Sequence, residues 1–427
     1  MNPELSQIDE LLDDEALYQL IRTDFSKRHP KTLVTGRKST PVEVLLRMLT
    51  VKRLYGWSYQ ETENRVRDSL VLRQFCRVYL EGVPEDTTLI RWAGQVQPET
   101  LEAFNRRISA LALELKVTKG RKLRTDGTVV ETHIHTPKDS RQLADSVCVL
   151  GRALSRAKTV LADQIELAKT VFCNRTRSAR WTARQAAQAM GRQKERGRAL
   201  YRKLVRIIKE PVSQAKTVLT VLQGQSDKPA RRLAETLETF IPRAEQVIDQ
   251  TVRRVFNREN VPAADKLVSI FEPHTDILRR GKAGKPVEYG HKVWLDEVAG
   301  GLVTRWEVLE GNPNDQLQWT PSLDGHAERF GKPPTQASAD RGVFSEENEQ
   351  VAKDRKIRRV VLPKQGWFRR GRRWHNGVEG RISVLKRRFG LNRCLDHGRD
   401  GFARCVGWAV IANNLVAIGR HQVAKSG

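Results

Sequence analysis

The chain has 427 residues, of which 76 are Lys or Arg and 50 are Asp or Glu, so its formal net charge is +26. This length predicts two or three domains, and a hydrophobic content of 39% excludes a disordered polycation. The positive excess favours a polyanionic partner such as nucleic acid, although a generally basic solvated surface would give the same count.

Residues 1–118 are predicted to form an N-terminal helical domain. The apolar residues between Val42 and Leu49 follow helical spacing, and Ser58 followed by Glu61 is typical of a capping box that starts the next helix. Helices at about 42–54, 59–67 and 88–96, joined by tight turns, fit a helix-turn-helix-like DNA-binding unit and a plain helical bundle equally well.

Residues 119–146 change to strand-like spacing. A β-branched run follows Asp126 and is bounded by Gly120 and Pro137, which predicts one or two strands. His133 and His135 are interpreted as residues on the face of this strand rather than as metal ligands. Asp139 is the acid most easily mistaken for a catalytic one.

Residues 147–260 are predicted to form an all-helical block. Apolar residues from Val147 to Phe172 recur at coiled-coil spacing, and further helices are expected at 212–223 and 229–256. Between Arg175 and Lys203 lies a basic helix, which is either a solvated face or a surface that follows phosphates.

Strand-like segments return in residues 261–427. Gly300 and Gly301 join two strands as a hairpin. The other predicted strands are KLVSIF, QASAD and RRVVLP, and helices are expected near 315–330, 345–355, 377–389 and 402–418. The alternation predicts a mixed α+β (α/β) fold whose sheet is split by the helical block, which forms a large insertion.

Three acids lie at element edges, unlike the other carboxylates of this basic chain: Asp126, Asp340 and Glu379. A carboxylate at the end of a buried strand projects into a cleft and suits a hard cation such as Mg²⁺. Alternatively, Asp126 begins a turn and Asp340 caps the next helix.

Glu379 lies on a predicted amphipathic helix. Val378, Ile382, Leu385 and Phe389 would form the buried stripe, with Glu379 and Lys386 two turns apart on an adjoining face. This pair could bind a metal and the phosphate beside it, or form a surface ion-pair ladder. The candidate DNA-binding residues around this helix are Lys386, Arg381, Arg387, Arg388, Arg372 and Arg373.

The sequence also predicts a cellular compartment. The N-terminus lacks the order of a signal peptide, and the apolar stretch GWAVIANNLVAI is short and interrupted by Asn413 and Asn414. Five scattered cysteines contain no CxxC pair. A cytoplasmic protein without membrane contact is expected.

Five segments of the chain resemble DDE transposases of bacterial insertion sequences: TDGTVVETHIHTPKDS, KPVEYGHKVWL, LEGNPNDQ, ADRGVFSEEN and VEGRISVLK. The resemblance runs from about residue 40 to the C-terminus and is greatest to the InsH-like and ISNCY-like groups. It implies an RNase H-like catalytic domain in which Asp126, Asp340 and Glu379 are the metal ligands. Lys386 matches the basic position after the family's Glu.

The resemblance also implies the reaction and its partners. Two Mg²⁺ ions, with Mn²⁺ as an alternative, would support cleavage at transposon ends and strand transfer into target DNA by a bacterial, nucleoid-associated homodimer. Arg372 and His375 stand where many relatives have Tyr and Arg, and His375 is interpreted as a residue that orients the helix start. A non-transposing nuclease and an inert DNA-binding protein are the alternatives.

Overall fold

The computed structural model describes residues 1–28, 40–161, 174–282, 285–363 and 369–426, without the side chains of 280–282, 285 and 369–373. The chain divides into two compact units. The first contains Met1–His133 and Leu278–Gly427, and the second contains Ile134–Ile277. The predicted helical block, residues 147–260, lies within the second unit.

Helices form the N-terminal part of the first unit. The Ser58 hydroxyl accepts a hydrogen bond from the Glu61 amide at 3.0 Å, as expected of the predicted cap. The helices predicted at 42–54 and 59–67 are confirmed, and the third begins slightly earlier than predicted. The described helices are α1 (Pro3–Leu12), α2 (Glu15–Arg28), α3 (Val42–Tyr55), α4 (Tyr59–Asp68), α5 (Leu70–Phe75), α6 (Asp86–Ala93) and α7 (Pro98–Glu114).

A mixed sheet lies at the centre of the first unit. Its order is β2-β3-β1-β5-β6, with β4 beside β3 and β7 beside β1. Strand β3 runs antiparallel to β1 and β4, whereas β5 and β7 run parallel to β1, and β6 runs parallel to β5. The strands are β1 (Lys122–Thr132), β2 (Asp276–Lys282), β3 (Lys285–Val298), β4 (Leu302–Val308), β5 (Gln336–Ser338), β6 (Arg359–Val361) and β7 (Arg393–Cys394).

Helices cover the two faces of this sheet. One face packs Leu123 and Trp294 against Trp319 and Leu323, while the other contributes Leu295 to the main core. The predicted helices near 315–330, 345–355, 377–389 and 402–418 are all present, and the last two are longer than predicted. They are α12 (Trp319–Phe330), α13 (Glu346–Asp354), α14 (Arg369–Arg388) and α15 (Gly398–Ser426).

By length and composition, one helix in the described part of the chain, α15, could cross a membrane, and 83% of its most apolar window is buried inside the structure. Its apolar residues belong to the main core. Asn414 also receives a hydrogen bond from the Val303 amide at 2.9 Å and donates one to Asn105 at 2.7 Å. These contacts are those of a core helix.

The second unit is helical and has its own apolar core. Its described helices are α8 (Asp139–Val160), α9 (Thr176–Arg192), α10 (Lys194–Gln223) and α11 (Lys228–Thr251), and a π-helical turn follows at Val252–Phe256. Helix α8 starts before the predicted Val147. The predicted positions Ile165, Ala168 and Phe172 lie outside the described residues.

Pro211 does not begin a new helix, so the separate helix predicted at 212–223 is wrong. Pro211 lies inside α10 and is buried with Ile208 and Val212 in the apolar side of that helix. Packing of this apolar side can compensate for the hydrogen bond that a proline removes. The predicted basic helix is instead interrupted at Gln193, where α9 ends and α10 begins.

The strand predicted at KLVSIF is also wrong. Two buried glutamines occupy the backbone groups that a neighbouring strand would otherwise bind. Gln250 accepts from the Leu267 amide at 2.9 Å and donates to its carbonyl at 3.1 Å, and Gln142 binds the Val268 carbonyl and the Ile270 amide at 2.8 and 3.0 Å. Side chains distant in sequence therefore satisfy the backbone hydrogen-bonding groups of an irregular segment.

Candidate active site on the central strand

Asp126 lies in the middle of β1, so its predicted position at a strand end or at the start of a turn is wrong, and Asp340 lies two residues beyond the end of the neighbouring parallel strand β5. Arg124 of β1 pairs with Ser338 of β5, and each acid lies two residues beyond its member of this pair. The backbone remains extended at Asp340, with φ −74° and ψ 178°. Because side chains alternate along a strand, both acids belong to the sheet face that carries Arg124.

Helix α14 packs over this face. The Arg124 guanidinium donates to the Trp374 carbonyl at 2.8 Å and lies 4.4 Å from the centre of the Trp374 ring. Two turns beyond Glu379, Lys386 Nζ donates to the Val129 carbonyl at 2.7 Å. Glu379 is therefore located between two anchor points of the helix on β1.

A glycine leaves room for the Arg124 guanidinium between β1 and α14. A Cβ atom at Gly377 would collide with the Arg124 guanidinium. The predicted amphipathic stripe forms the other side of the helix: Val378, Leu385 and Phe389 are buried, and Ile382 packs partly buried against the core. Glu379 is left exposed beside this stripe, but it lies in the middle of α14, so its predicted position at the edge of an element is wrong.

His375 lies one helical turn before Glu379 and is affected by the charge of Asp340. Burial lowers the pKa of His375, while the negative charges of Asp340 and Glu379 act in the opposite direction. Both carboxylates therefore lie within electrostatic range of one imidazole. His375 lies beyond the first turn of α14, so its interpretation as a residue at the helix start is wrong.

Asp126 and Asp340 also make local hydrogen bonds. Asp126 Oδ1 accepts from the Gly127 amide at 2.7 Å, and Asp340 Oδ1 accepts from the Gly342 amide at 2.9 Å. Asp340 thereby caps the short 3₁₀ helix Arg341–Val343, as the alternative interpretation of its sequence context expected. Both carboxylates are half-buried, so a ligand could still reach them.

A fourth carboxylate lies beside Asp340. A Cβ atom at Gly342 would lie 3.2 Å from both Asp315 Oδ2 and Asp340 Oδ1. Asp315 forms an ion pair with buried Lys292, whose Nζ also donates to the Pro313 carbonyl at 2.8 Å. Sequence reasoning assigned Asp315 no role, although it belongs to the LEGNPNDQ segment singled out by the resemblance.

The acids suit a metal by their chemistry. Asp126, Asp340 and Glu379 offer oxygen donors only, which are the ligands that Mg²⁺ and Mn²⁺ prefer. A compact ligand group, with all donor atoms within 4.8 Å, is instead formed among the described residues by Cys394, Asp396 and Cys405. Metal binding by the three acids would therefore require their side chains to move closer together.

The cysteine group has a different electrostatic character. A hydrogen bond from Cys394 and the nearby Arg53 guanidinium lower the pKa of Cys405 to about 6, while the same hydrogen bond and burial raise the pKa of Cys394. Both thiols are buried. In the sequence they are simply two scattered cysteines, and only the packing of α15 against β7 brings them together.

The predicted DNA-binding residues have varied surroundings. Arg381 donates to Glu297 at 3.1 Å and to Asn413 at 2.9 Å, and Lys386 reaches β1, so both hold α14 against the sheet. Arg388 donates to Glu4 at 3.4 Å, and Arg387 is exposed. The side chains of Arg372 and Arg373 lie outside the described set.

The interpretation of His133 and His135 changes, whereas that of Asp139 does not. His133 and His135 are not on a strand face, because β1 ends at Thr132. Asp139 is nearly buried and accepts hydrogen bonds from Gln250 at 2.9 Å and Arg254 at 2.7 Å. These contacts give Asp139 a structural role, in agreement with the expectation that it is not a catalytic acid.

Comparison with known proteins supports a transposase family. Residues 1–95 match the family described as "Transposase domain (DUF772)". The match includes helices α1 to α6 and ends before the sheet and the helix on which the three acids lie. No curated protein and no solved structure matches this chain.

Proposed function

We propose that this chain is a DDE transposase of the InsH-like or ISNCY-like kind, with an RNase H-like catalytic domain split by the helical unit. The sheet supports this proposal, since β4, β3 and β1 are successively antiparallel while β5 and β6 continue parallel to β1. The observation that carries it is the matched placement of Asp126 and Asp340 under the helix that bears Glu379.

In this proposal Asp126, Asp340 and Glu379 hold Mg²⁺ or Mn²⁺, which when bound would activate a water and neutralise charge at the reacting phosphate. The sheet and the anchored helix hold the backbone from which the three carboxylates would close on the metal. Partial burial lowers the pKa of the half-buried His375, which favours its neutral form beside the acids.

The proposed substrates are the terminal inverted repeats of an insertion sequence and a target duplex. Cleavage breaks a phosphodiester bond at the transposon end, and the freed 3′-hydroxyl then attacks a phosphorus atom of the target, where the 3′-oxygen of the target strand leaves. A homodimer would bring two ends together, acting in the cytoplasm at the nucleoid.

Replacement of each acid by its amide tests the chemistry. We expect Asp126→Asn, Asp340→Asn and Glu379→Gln each to lower cleavage and joining by at least about 100-fold, because the amide removes a negative oxygen donor. The assay uses duplexes with the inverted repeats that flank the gene, and Mg²⁺. Asp354→Asn, on an exposed helix end, is the matched control and should remain active.

Pre-cut ends separate the alternatives in the same assay. Joining of these ends to target DNA supports a transposase, whereas cleavage without joining indicates a non-transposing nuclease on the same fold. DNA binding without metal-dependent cleavage indicates an inert binding protein. Amide variants that bind the ends and still cut and join them would refute the proposed site.

A further inference from the structure

Positive charge in the second unit is concentrated on two helices. From Arg175 to Lys209 the chain carries twelve Lys and Arg residues but one acid, Glu195. Helix α9 has four basic residues and no acid, whereas α11 has four of each. The excess is therefore local to α9 and α10 and does not reflect a uniformly basic unit.

Helix α9 has one buried and one basic side. Its buried residues are Ala179, Thr182, Ala183 and Ala186. Arg177, Arg180, Trp181 and Arg184 follow the spacing i, i+3, i+4, i+7, so they lie along one side of the helix, and all four are exposed. Trp181 is 56% exposed, so part of its ring is open to solvent between the arginines.

Helix α10 contributes to the same surface. Lys203 Nζ lies 5.8 Å from the centre of the Trp181 ring, a cation–π distance. We call Arg177, Arg180, Trp181, Arg184 and Lys203 the basic face. Within the part of the chain that the structure describes, each of these residues belongs to the second unit, so the face is defined without reference to the first.

The cations of the basic face have no close acidic partner among the described residues. No Asp or Glu oxygen lies within 4.0 Å of them, while nearby cations are paired, as Arg175 is with Glu210 at 2.6 Å and Lys216 with Glu245 at 2.5 Å. Arg180 acts at longer range on Asp145: burial raises the pKa of this carboxyl, and the charge of Arg180 opposes part of that rise. Uncompensated like charges repel one another, so a polyanion would be a favourable partner.

We propose that the basic face binds the sugar–phosphate backbone of double-stranded DNA. The identity of the partner rests on the proposed function. Arg177 to Arg184 spans roughly 10 Å along the helix axis, which is close to the rise of about three nucleotides of B-DNA. Arg side chains suit phosphate by their bidentate geometry, and Trp181 offers an apolar surface to the sugars between them.

Neutralisation of three arginines tests this site. We expect Arg177→Ala, Arg180→Ala and Arg184→Ala, combined in the full chain, to weaken binding to a 30-bp random-sequence duplex by roughly 10- to 100-fold at 0.1 M salt. The slope of log K against log salt should decrease in magnitude by about 3, one unit for each lost phosphate contact. Fluorescence anisotropy without divalent metal measures both quantities.

A matched control removes the same charge from the same unit. Lys228, Arg231 and Arg232 are exposed at the start of α11, and their combined change to Ala should alter affinity by less than about 3-fold. Circular dichroism confirms that both triple variants remain helical. Equal DNA affinity and salt slope in the two variants would overturn the proposal and leave another polyanion, such as an acidic protein, as the partner.

The measurement of DNA binding by the basic face is independent of the chemistry of the three acids. Because binding is measured without divalent metal, loss of cleavage in Glu379→Gln would leave the anisotropy result unchanged. Conversely, if the basic face does not bind DNA, the triple variant should retain cleavage and joining at saturating DNA. Failure of one proposal can therefore be recognised without failure of the other.

Discussion

His326 is a buried histidine of the first unit whose surroundings favour the neutral ring. Its Nε2 donates to the Gly120 carbonyl at 2.9 Å, since the carbonyl can only accept. Among the described residues its Nδ1 is buried without a hydrogen-bond partner. Burial lowers the pKa of His326 to about 4, because a proton on Nδ1 would be both desolvated and unpaired.

The lowered pKa of His326 predicts that the first unit loses stability in mild acid. The folded-state pKa lies below the unfolded value of about 6.5, so the stabilisation is complete above pH 6.5 and is lost as the pH falls toward 4. Between pH 7.5 and 5 we expect the free energy of unfolding to fall by about 2 kcal/mol from this group. Urea unfolding at the two pH values measures the change.

His326→Gln is the control for this effect. The glutamine amide can still donate to the Gly120 carbonyl but does not titrate in this range. The variant should therefore lose about 2 kcal/mol less than the parent between the two pH values. An identical pH dependence in both proteins would show that His326 is not the group responsible.

At the scale of elements, a buried acid joins β1, β3 and α14. Glu297 is fully buried and accepts hydrogen bonds from Arg124 at 2.8 and 2.6 Å and from Arg381 at 3.1 Å. Two guanidinium groups thus converge on one carboxylate behind the proposed catalytic residues. The network positions the helix that bears Glu379.

Removal of Glu297 should destabilise the first unit strongly. Glu297→Ala leaves two largely buried cations without their carboxylate, and the expected cost is about 3–5 kcal/mol. The exposed pair of Arg106 and Glu328, with an N–O distance of 3.0 Å, provides the control, since Glu328→Ala should cost less than about 1 kcal/mol. Denaturant unfolding of both variants gives the comparison, and equal losses would contradict this role for Glu297.

Local signals in the sequence predicted many elements correctly. The Ser58 cap, the Gly300–Gly301 hairpin and the buried stripe of α14 each depend on residues close in sequence. The prediction of a strand at KLVSIF failed because the side chains that bind its backbone, Gln142 and Gln250, come from distant helices. The prediction of a helix break at Pro211 failed because burial of this residue in the core of the helical unit overrode its local helix-breaking tendency.

The candidate site was predictable only in part for the same reason. The sequence context identified Asp126, Asp340 and Glu379 as unusual acids, but not the pairing of Arg124 with Ser338 that aligns two of them. Asp315 was missed because its position beside Asp340 depends on a loop contact. His375 was misjudged because α14 begins several residues before the predicted helix start.

At the scale of the whole molecule, a net charge of +26 predicts a salt-sensitive stabilisation by DNA. A ligand that binds the folded state raises the midpoint of thermal unfolding, and phosphate contacts weaken steeply as salt rises. We expect random duplex DNA to raise the midpoint by several degrees at about 0.05 M salt and to have no effect near 0.5 M.

Differential scanning fluorimetry measures this shift, with an uncharged polymer at equal mass concentration as the control for crowding. The polymer should produce little change at either salt concentration. A DNA-induced shift that persists unchanged in high salt would indicate binding through contacts other than phosphates.

The central position of β1 has a consequence for biosynthesis. Leu123 pairs with Val298 and Lys122 with Gln336, so the ribosome must make the entire helical unit before β1 can find a partner. At on the order of 5–20 residues per second, β1 therefore waits for on the order of ten seconds or more before its first partner strand is made. The helices of the second unit, whose contacts are more local, can form during that interval, so this unit can fold while β1 is still unpaired.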